Sequence, residues 1–511
     1  MDLIGVDVGT TGCKAVVFSP EGRILGSGYQ EYGFVSTEPG MAEQDAEQVW
    51  RITCEVLQQA VQRASASEAG KNQIRALSLS VQGDAVIPVD QHFTPVYNAV
   101  LGMDYRSQPQ ARSCSEQFGD RRLFVLTGMR PHPINSLIKI LWLREKRAQV
   151  FERAWKVLTY SDFILGKLGA EAVIDHTMAS RTMAFDLKRK QWSSEILDPL
   201  GINPDFFSRP EPSGTIIGKI SKAAADRTGL PRNLKLVTGG HDQTCAALGA
   251  GVTDTGRAVV STGTAEVLSA AFFEPVLNEA MYRSFYPCYL HAKAPMYFTF
   301  TLNHVGGLLL RWYRDNFAHA EIEEARAAGI DPYDRILEKV PSEPSPLLVL
   351  PHFNGSGTPW CDMDSKGAIL GLNLSTTRHD IARSILESQS YELKSNLDTV
   401  EQAGISISEL RAVGGGAKSP LWLQIKADIL ARPIITLKVR EAACLGASLL
   451  AAVATGLYGS IDEAVEKAVV PDREFSPDKD RVRRYKETFK IYRELYPTLS
   501  AINRKLQREQ A

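Results

Sequence analysis

Leu3-Ile4-Gly5-Val6-Asp7-Val8-Gly9-Thr10-Thr11-Gly12-Cys13-Lys14-Ala15-Val16-Val17-Phe18 opens the chain with two β-rich runs, residues 3–8 and 14–18, around a glycine-bearing turn. That pattern predicts a β-hairpin with a wide loop. The loop chemistry suits polyphosphate. Glycines let backbone N–H groups approach phosphate oxygens, Thr10 and Thr11 add donors, Lys14 adds positive charge, and Asp7 is able to hold a magnesium ion directly or through water. A purely structural hairpin carries the same local pattern.

The motif recurs. Residues 257–260, Ser261-Thr262-Gly263-Thr264 and residues 265–272 repeat the order strand, Gly-Thr turn, strand, and Gly9 and Gly263 lie 254 positions apart in 511 residues. Such spacing predicts two related lobes, each opening on a hairpin, with two loops that face one another and clamp one phosphate chain. Two unrelated hairpins are the alternative.

Composition narrows the partners. With 44% apolar and 23% charged residues the chain is an ordinary globular one, which excludes a disordered or collagen-like protein. Lys plus Arg number 58 against 59 Asp plus Glu, so no global charge attracts it to nucleic acid or an anionic membrane. The expected partner is a small molecule. No secretory signal is visible, and the uncharged stretch 442–459 is interrupted by Gly446, Ser448, Thr455 and Gly456, so it reads as a buried helix rather than a membrane span. The seven cysteines are scattered and never spaced as metal ligands, which suits reduced thiols in a cytoplasm.

Apolar periodicity predicts helices over 44–64, 137–147, 161–168, 194–200, 378–400, 420–430, 442–455 and a terminal one over 478–506. Strands are predicted at 24–29, 74–80, 85–89, 234–238, 347–350 and 409–413. Thr238-Gly239-Gly240-His241-Asp242-Gln243 sets a carboxylate between a strand and a helix. Asp242 there is either a helix N-cap or a cleft base that takes a proton from a substrate hydroxyl. His241 reads as a packing or hydrogen-bonding residue. Gly414-Gly415-Gly416-Ala417-Lys418-Ser419 makes an open strand-to-helix turn across which a nucleoside could lie, and no Walker run is present. Trp312 fits either the core or a substrate platform.

In this order the features resemble the FGGY family of sugar kinases within the actin-like ATPase superfamily. Asp7-x-Gly9-Thr10-Thr11-x-x-Lys14 resembles its first phosphate motif, Ser261-Thr262-Gly263-Thr264 its second, and residues 414–428 its adenosine motif. Gly367-Ala368-Ile369-Leu370-Gly371-Leu372 followed by residues 380–387 is similar to the C-terminal signature, and residues 136–143 to the N-terminal one. The resemblance implies an α/β fold of two actin-like ATPase (ribonuclease H-like) lobes around a cleft, with residues 1–245 binding the acceptor and 246–511 binding ATP. It further implies ATP-dependent transfer of the γ-phosphate to a hydroxyl of a pentulose such as xylulose, with Asp242 as base and magnesium on Asp7 and Asp242. ATP contacts would come from Gly9, Thr10, Thr11, Lys14, Gly263, Thr264, Gly415, Gly416, Ala417 and Lys418. Acceptor contacts would come from Gln82, Gly83, Asp84, Asp104, Arg106 and Gln243. Two departures blur the acceptor: Gln82-Gly83 stands where xylulokinases usually have Met-His, and Asp242-Gln243 where they have Asp-Asn. A polyol kinase and a non-catalytic sugar sensor are the alternatives, although intact Asp7 and Asp242 argue against the sensor. Oligomeric state is open, a homodimer included.

Overall fold

The opening segment folds as the expected hairpin. In the computed structural model, which describes residues 1–66 and 73–510, Asp2–Val8 pairs antiparallel with Gly12–Phe18, and Asp7 stands opposite Lys14. Register separates two faces. Ile4, Val6, Ala15 and Val17 join the core with the helix Ala46–Ala66, whereas Val16 and Phe18 pack with Cys444 and Leu445. A strand covered on both faces needs a near-continuous apolar run, and the opening strand has one that only Asp7 leaves half-buried. Each fully buried Val or Ile contributes about 1.5–3 kcal/mol.

Six strands form the first sheet in the order Ile216–Lys219, Lys235–His241, Ile74–Val81, Asp2–Val8, Gly12–Phe18, Ile24–Glu31. Seven form the second, in the order Tyr289–Leu290, Tyr297–Asn303, Glu266–Phe272, Gly256–Thr262, Ile407–Val413, Ile434–Leu437, Pro471–Phe475. In each, a three-strand antiparallel meander continues through two parallel strands to an antiparallel strand. The two Gly-Thr loops therefore belong to a repeat of sheet topology, and the reading of two unrelated hairpins is set aside.

The division expected at residue 245 meets a different geometry. It falls inside the helix Asp242–Gly249, and the helix Ala442–Ala454, from the second half, lies on the first sheet. A Cβ added at Gly5 would stand 1.9 Å from the Cys444 carbonyl oxygen. This helix is apolar on nearly every side, with ten of its residues buried, and so needs cover all round. It finds that cover between the first sheet and Asp242–Gly249, where Gly446 and Gly249 bring the two helix backbones together.

The terminal helix is also revised. Two helices, Lys479–Tyr492 and Leu495–Gln510, replace the single one expected. Pro497 lacks an N–H and fits only the first turn of a helix, so it starts the second one. The expected strand over 85–89 shortens to Ile87–Val89. Among the described residues no helix is long and apolar enough to cross a membrane, and Ala442–Ala454 is a buried helix as expected.

Candidate active site

Asp7 and Asp242 stand at the same end of the first sheet, on parallel strands that flank Ile74–Val81. Asp7 is the last residue but one of the central strand Asp2–Val8, and Asp242 follows the strand Lys235–His241 as the first residue of a helix. His241, not Asp242, occupies the N-cap position, and no side-chain cap bond forms there. The carboxylate is thereby free of the capping role that the sequence left open. Asp242 Oδ1 is buried without a well-aligned hydrogen bond, and His241 Nε2 stands 3.1 Å from it. Burial first, and the charge of Asp7 second, push the Asp242 carboxyl up to about 7. Burial likewise raises Asp7, which accepts a hydrogen bond of 2.7 Å from the Ser80 hydroxyl. The charge of Asp7 acts on Asp242, and a pair of carboxylates is the donor set that magnesium characteristically takes, completing its shell with water and phosphate oxygens. Among the described residues no group of three or more His, Cys, Asp or Glu side chains gathers to hold a metal.

The phosphate loops are used unevenly. The amides of Gly9 and Gly263 are spent inside their own turns, on Gly12 O at 3.0 Å and Ala265 O at 2.9 Å. The outward groups are the side chains of Thr11 and Thr264, both exposed, while Thr10 Oγ1 donates to Gln82 at 3.1 Å. Lys14 makes a 2.8 Å ion pair with Glu441, which tethers the first loop to the start of the helix Ala442–Ala454. Beneath the second loop, buried Lys426 donates to Thr262 Oγ1 at 2.7 Å and pairs with Glu266 at 2.5 Å. Gly415, Gly416, Ala417 and Lys418 form one short 3-10 turn, which lies so close to Thr262 that a Cβ on Gly416 would stand 2.6 Å from the Thr262 Cβ. A crevice lined by Val413, Gly414, Ala417, Leu437, Val439 and Arg440 opens beside it.

Because the second loop is open, it allows a clean test. A Cβ on Gly263 would meet nothing nearer than Ala265 O at 3.9 Å, so Gly263→Val should melt like the parent. Its side chain would stand in the loop's free space, and the KM for ATP should rise about tenfold or more. An unchanged nucleotide affinity by calorimetry would remove the loop from the ATP site.

At the acceptor end the outcome is mixed. Gln82 is buried, and its amide is spent on Gly9 O at 3.2 Å, Gln44 Oε1 at 3.3 Å and the Thr10 hydroxyl. It holds the hairpin rather than reaching into the cleft. Asp104 is 0% exposed, and its oxygens accept from Ala42 N–H at 2.7 Å and from Arg106 at 2.9–3.1 Å. Arg106 also pairs with Glu43 at 2.7 Å. A carboxylate bonded so fully has no oxygen left for a sugar, so the expected direct contact is corrected to a buried brace. Asp104→Ala should then cost about 3 kcal/mol of stability, because the largely buried Arg106 guanidinium loses one of its two carboxylate partners and the Ala42 N–H loses its acceptor. Urea denaturation reads this; an unchanged midpoint with a raised acceptor KM would restore the direct contact. Gly83 and Asp84 border Arg181 and His241, and half-buried Gln243 follows Asp242. Trp312 packs edge-on against Phe317 and Phe353, at 5.3 and 4.8 Å.

Sequence reasoning did not single out Arg181, Tyr289, Glu441, Lys426 or Glu266. Their partners lie from four to 427 residues away, and no local pattern announces such pairings.

Residues 3–249 match the N-terminal domain of the FGGY family of carbohydrate kinases, and residues 258–455 its C-terminal domain. The chain is 28% identical to a xylulose kinase of Bacillus subtilis (strain 168), over 99% of this chain and 98% of that protein. It is 29% identical to a gluconokinase of the same strain, over 96% and 94%. A ligand-bound xylulose kinase from Lactobacillus acidophilus superposes with a TM-score of 0.88 at 24% identity and 99% coverage of both chains. These likenesses carry the two-lobed actin-like ATPase fold that the motifs implied. With the N-terminal domain matched through the helix Asp242–Gly249 and the C-terminal domain following from residue 258, the chain belongs to the FGGY family of carbohydrate kinases.

Proposed function

We propose that the protein transfers the γ-phosphate of ATP, with magnesium, to a primary hydroxyl of a pentulose such as xylulose, in the cytoplasm. The observation that carries the reading is Asp242: a carboxylate at the end of a sheet, outside the N-cap position, with Oδ1 buried and without a well-aligned hydrogen bond. Full-length likeness to a xylulose kinase supports the acceptor. The first lobe, together with the helix Ala442–Ala454, forms the acceptor side, and the second sheet with the turn at 414–418 forms the ATP side.

In this reading Asp242 takes the proton from the attacking hydroxyl as the oxygen meets phosphorus. Thr11 and Thr264 donate to phosphate oxygens from opposite loops, and Lys14 lends charge that Glu441 partly offsets. Asp7 and Asp242 would hold magnesium, which supplies neutralisation of the phosphate charge when bound. Neutral His241, kept unprotonated by burial and then by the Arg181 charge, steadies Asp242 without adding a competing cation. Positioning and electrostatics carry most of the rate in such transfers.

A coupled assay of ADP release over pentuloses, pentitols, tetritols, glycerol and gluconate tests the reading. Turnover dependent on one pentulose supports it. ATP consumption indifferent to all of them, or no turnover at all, overturns it.

A further inference from the structure

Resting on that kinase reading, we infer that Arg181 and Asp84 select the acceptor, as a fork that takes two adjacent hydroxyl oxygens of an uncharged sugar and disfavours an aldonate. Arg181 ends the short helix His176–Arg181 and is 4% exposed, and Asp84 is 3% exposed. The guanidinium Nη2 donates to Asp84 Oδ2. Three atoms of the pair remain buried without a well-aligned hydrogen bond: Arg181 Nε and Nη1, and Asp84 Oδ1. Native proteins satisfy nearly all such atoms, so an unsatisfied set beside the proposed base is where a ligand or its displaced water belongs.

The fork adjoins the base. A Cβ on Gly83 would lie 3.1 Å from Arg181 Nε and 2.7 Å from His241 Nε2, and His241 Nε2 is 3.1 Å from Asp242 Oδ1. Any residue but glycine at 83 would push into both side chains. Position is locked from the other side as well. The guanidinium carbon stands 5.2 Å from the ring centres of both Tyr289 and Phe300, and the Tyr289 hydroxyl is 3.1 Å from His241 Nδ1.

The chemistry of the unpaired set names the ligand. A sugar hydroxyl both accepts and donates, so one oxygen can receive an Arg181 N–H while its proton goes to Asp84 Oδ1. The planar guanidinium offers a second N–H to the neighbouring oxygen. Net charge decides against a carboxylate. Arg181 is neutralised by Asp84, Arg106 by Glu43 and Asp104, and buried Lys139 donates to Ile134 O beside Asp84 and Asp104. Burial holds Lys139 down to about 7, so at neutral pH two guanidiniums and a partly charged lysine meet three carboxylates, which leaves no surplus positive charge for an aldonate.

Steady-state kinetics on the full chain, with D-xylulose, glycerol, erythritol and gluconate each varied against ATP, tests this on the parent, Arg181→Lys and Asp84→Asn. The best neutral acceptor should exceed gluconate at least a hundredfold in kcat/KM. Arg181→Lys should lower kcat/KM for that acceptor tenfold or more, with the KM for ATP within twofold of the parent. Asp84→Asn frees the Arg181 charge and should shift the gluconate-to-neutral ratio at least tenfold toward gluconate. That ratio is internal to one variant, so a partial loss of folded protein does not move it. Preference of the parent for gluconate, or an unmoved ratio in Asp84→Asn, overturns the selection while leaving the kinase reading intact. Absence of phosphorylation of every acceptor by the parent overturns the kinase reading and the selection with it.

Discussion

Asp242→Asn is expected to lower kcat by about 10²–10⁴, with the KM for ATP close to the parent value. Asparagine keeps the size of the side chain and cannot accept the hydroxyl proton. Steady-state kinetics with each substrate varied decides it, and a near-normal kcat would leave Asp242 without a chemical role. The same variant carries a second, opposite effect. Burial and the neighbouring Asp7 raise the Asp242 carboxyl from 3.8 to about 7, so the folded state holds this proton more tightly than the unfolded chain does. Ionised Asp242 then costs stability, progressively from about pH 4 and fully above about pH 7. Asparagine has no such cost. Without magnesium, Asp242→Asn should therefore melt higher than the parent at pH 8, and the gap should close toward pH 4. A variant that melts lower at pH 8 would mean that the carboxylate is a stabilising group after all.

The hairpins and the crossing helix were legible because their signals are local. An apolar run broken by a Gly-Thr turn states strand, turn and strand within sixteen residues, and the turn's recurrence 254 positions later exposed the repeat. Side-chain destinations were not legible. Gln82 and Asp104 are polar residues near a cleft in an acceptor-side segment, and that much read as substrate contact. What fixed their roles was the backbone around them: Gly9 O, which also accepts from the Tyr32 hydroxyl, and the Ala42 N–H both bond to these side chains. Glu441 illustrates the same limit, since its pairing with Lys14 spans 427 residues. Pro497 was visible but masked by the charged helical periodicity around it, and it is the residue that marks the break.

Gly446→Ala should be among the most damaging single-methyl changes in the chain. The added Cβ would lie 1.9 Å from the Cys245 carbonyl oxygen, 2.8 Å from its carbon and 2.9 Å from Gly249 N. All three are backbone atoms, so no side chain can rotate away, and the helices Ala442–Ala454 and Asp242–Gly249 must part. Overpacking in a core typically costs about 1–3 kcal/mol, and backbone displacement puts this case at the upper end, about 3 kcal/mol. Function should suffer beyond the folded fraction, because one helix begins at Asp242 and the other follows Glu441, the partner of Lys14. Parting them moves the base and the phosphate loop together, so kcat/KM should fall for both substrates. Gly33→Ala is the control: a Cβ there meets nothing within 4 Å, and its stability should stay within about 0.5 kcal/mol of the parent. Urea midpoints for the two variants, with kinetics on the folded fraction, separate the cases. Equal midpoints would mean that the helix crossing yields without cost and does not govern the site.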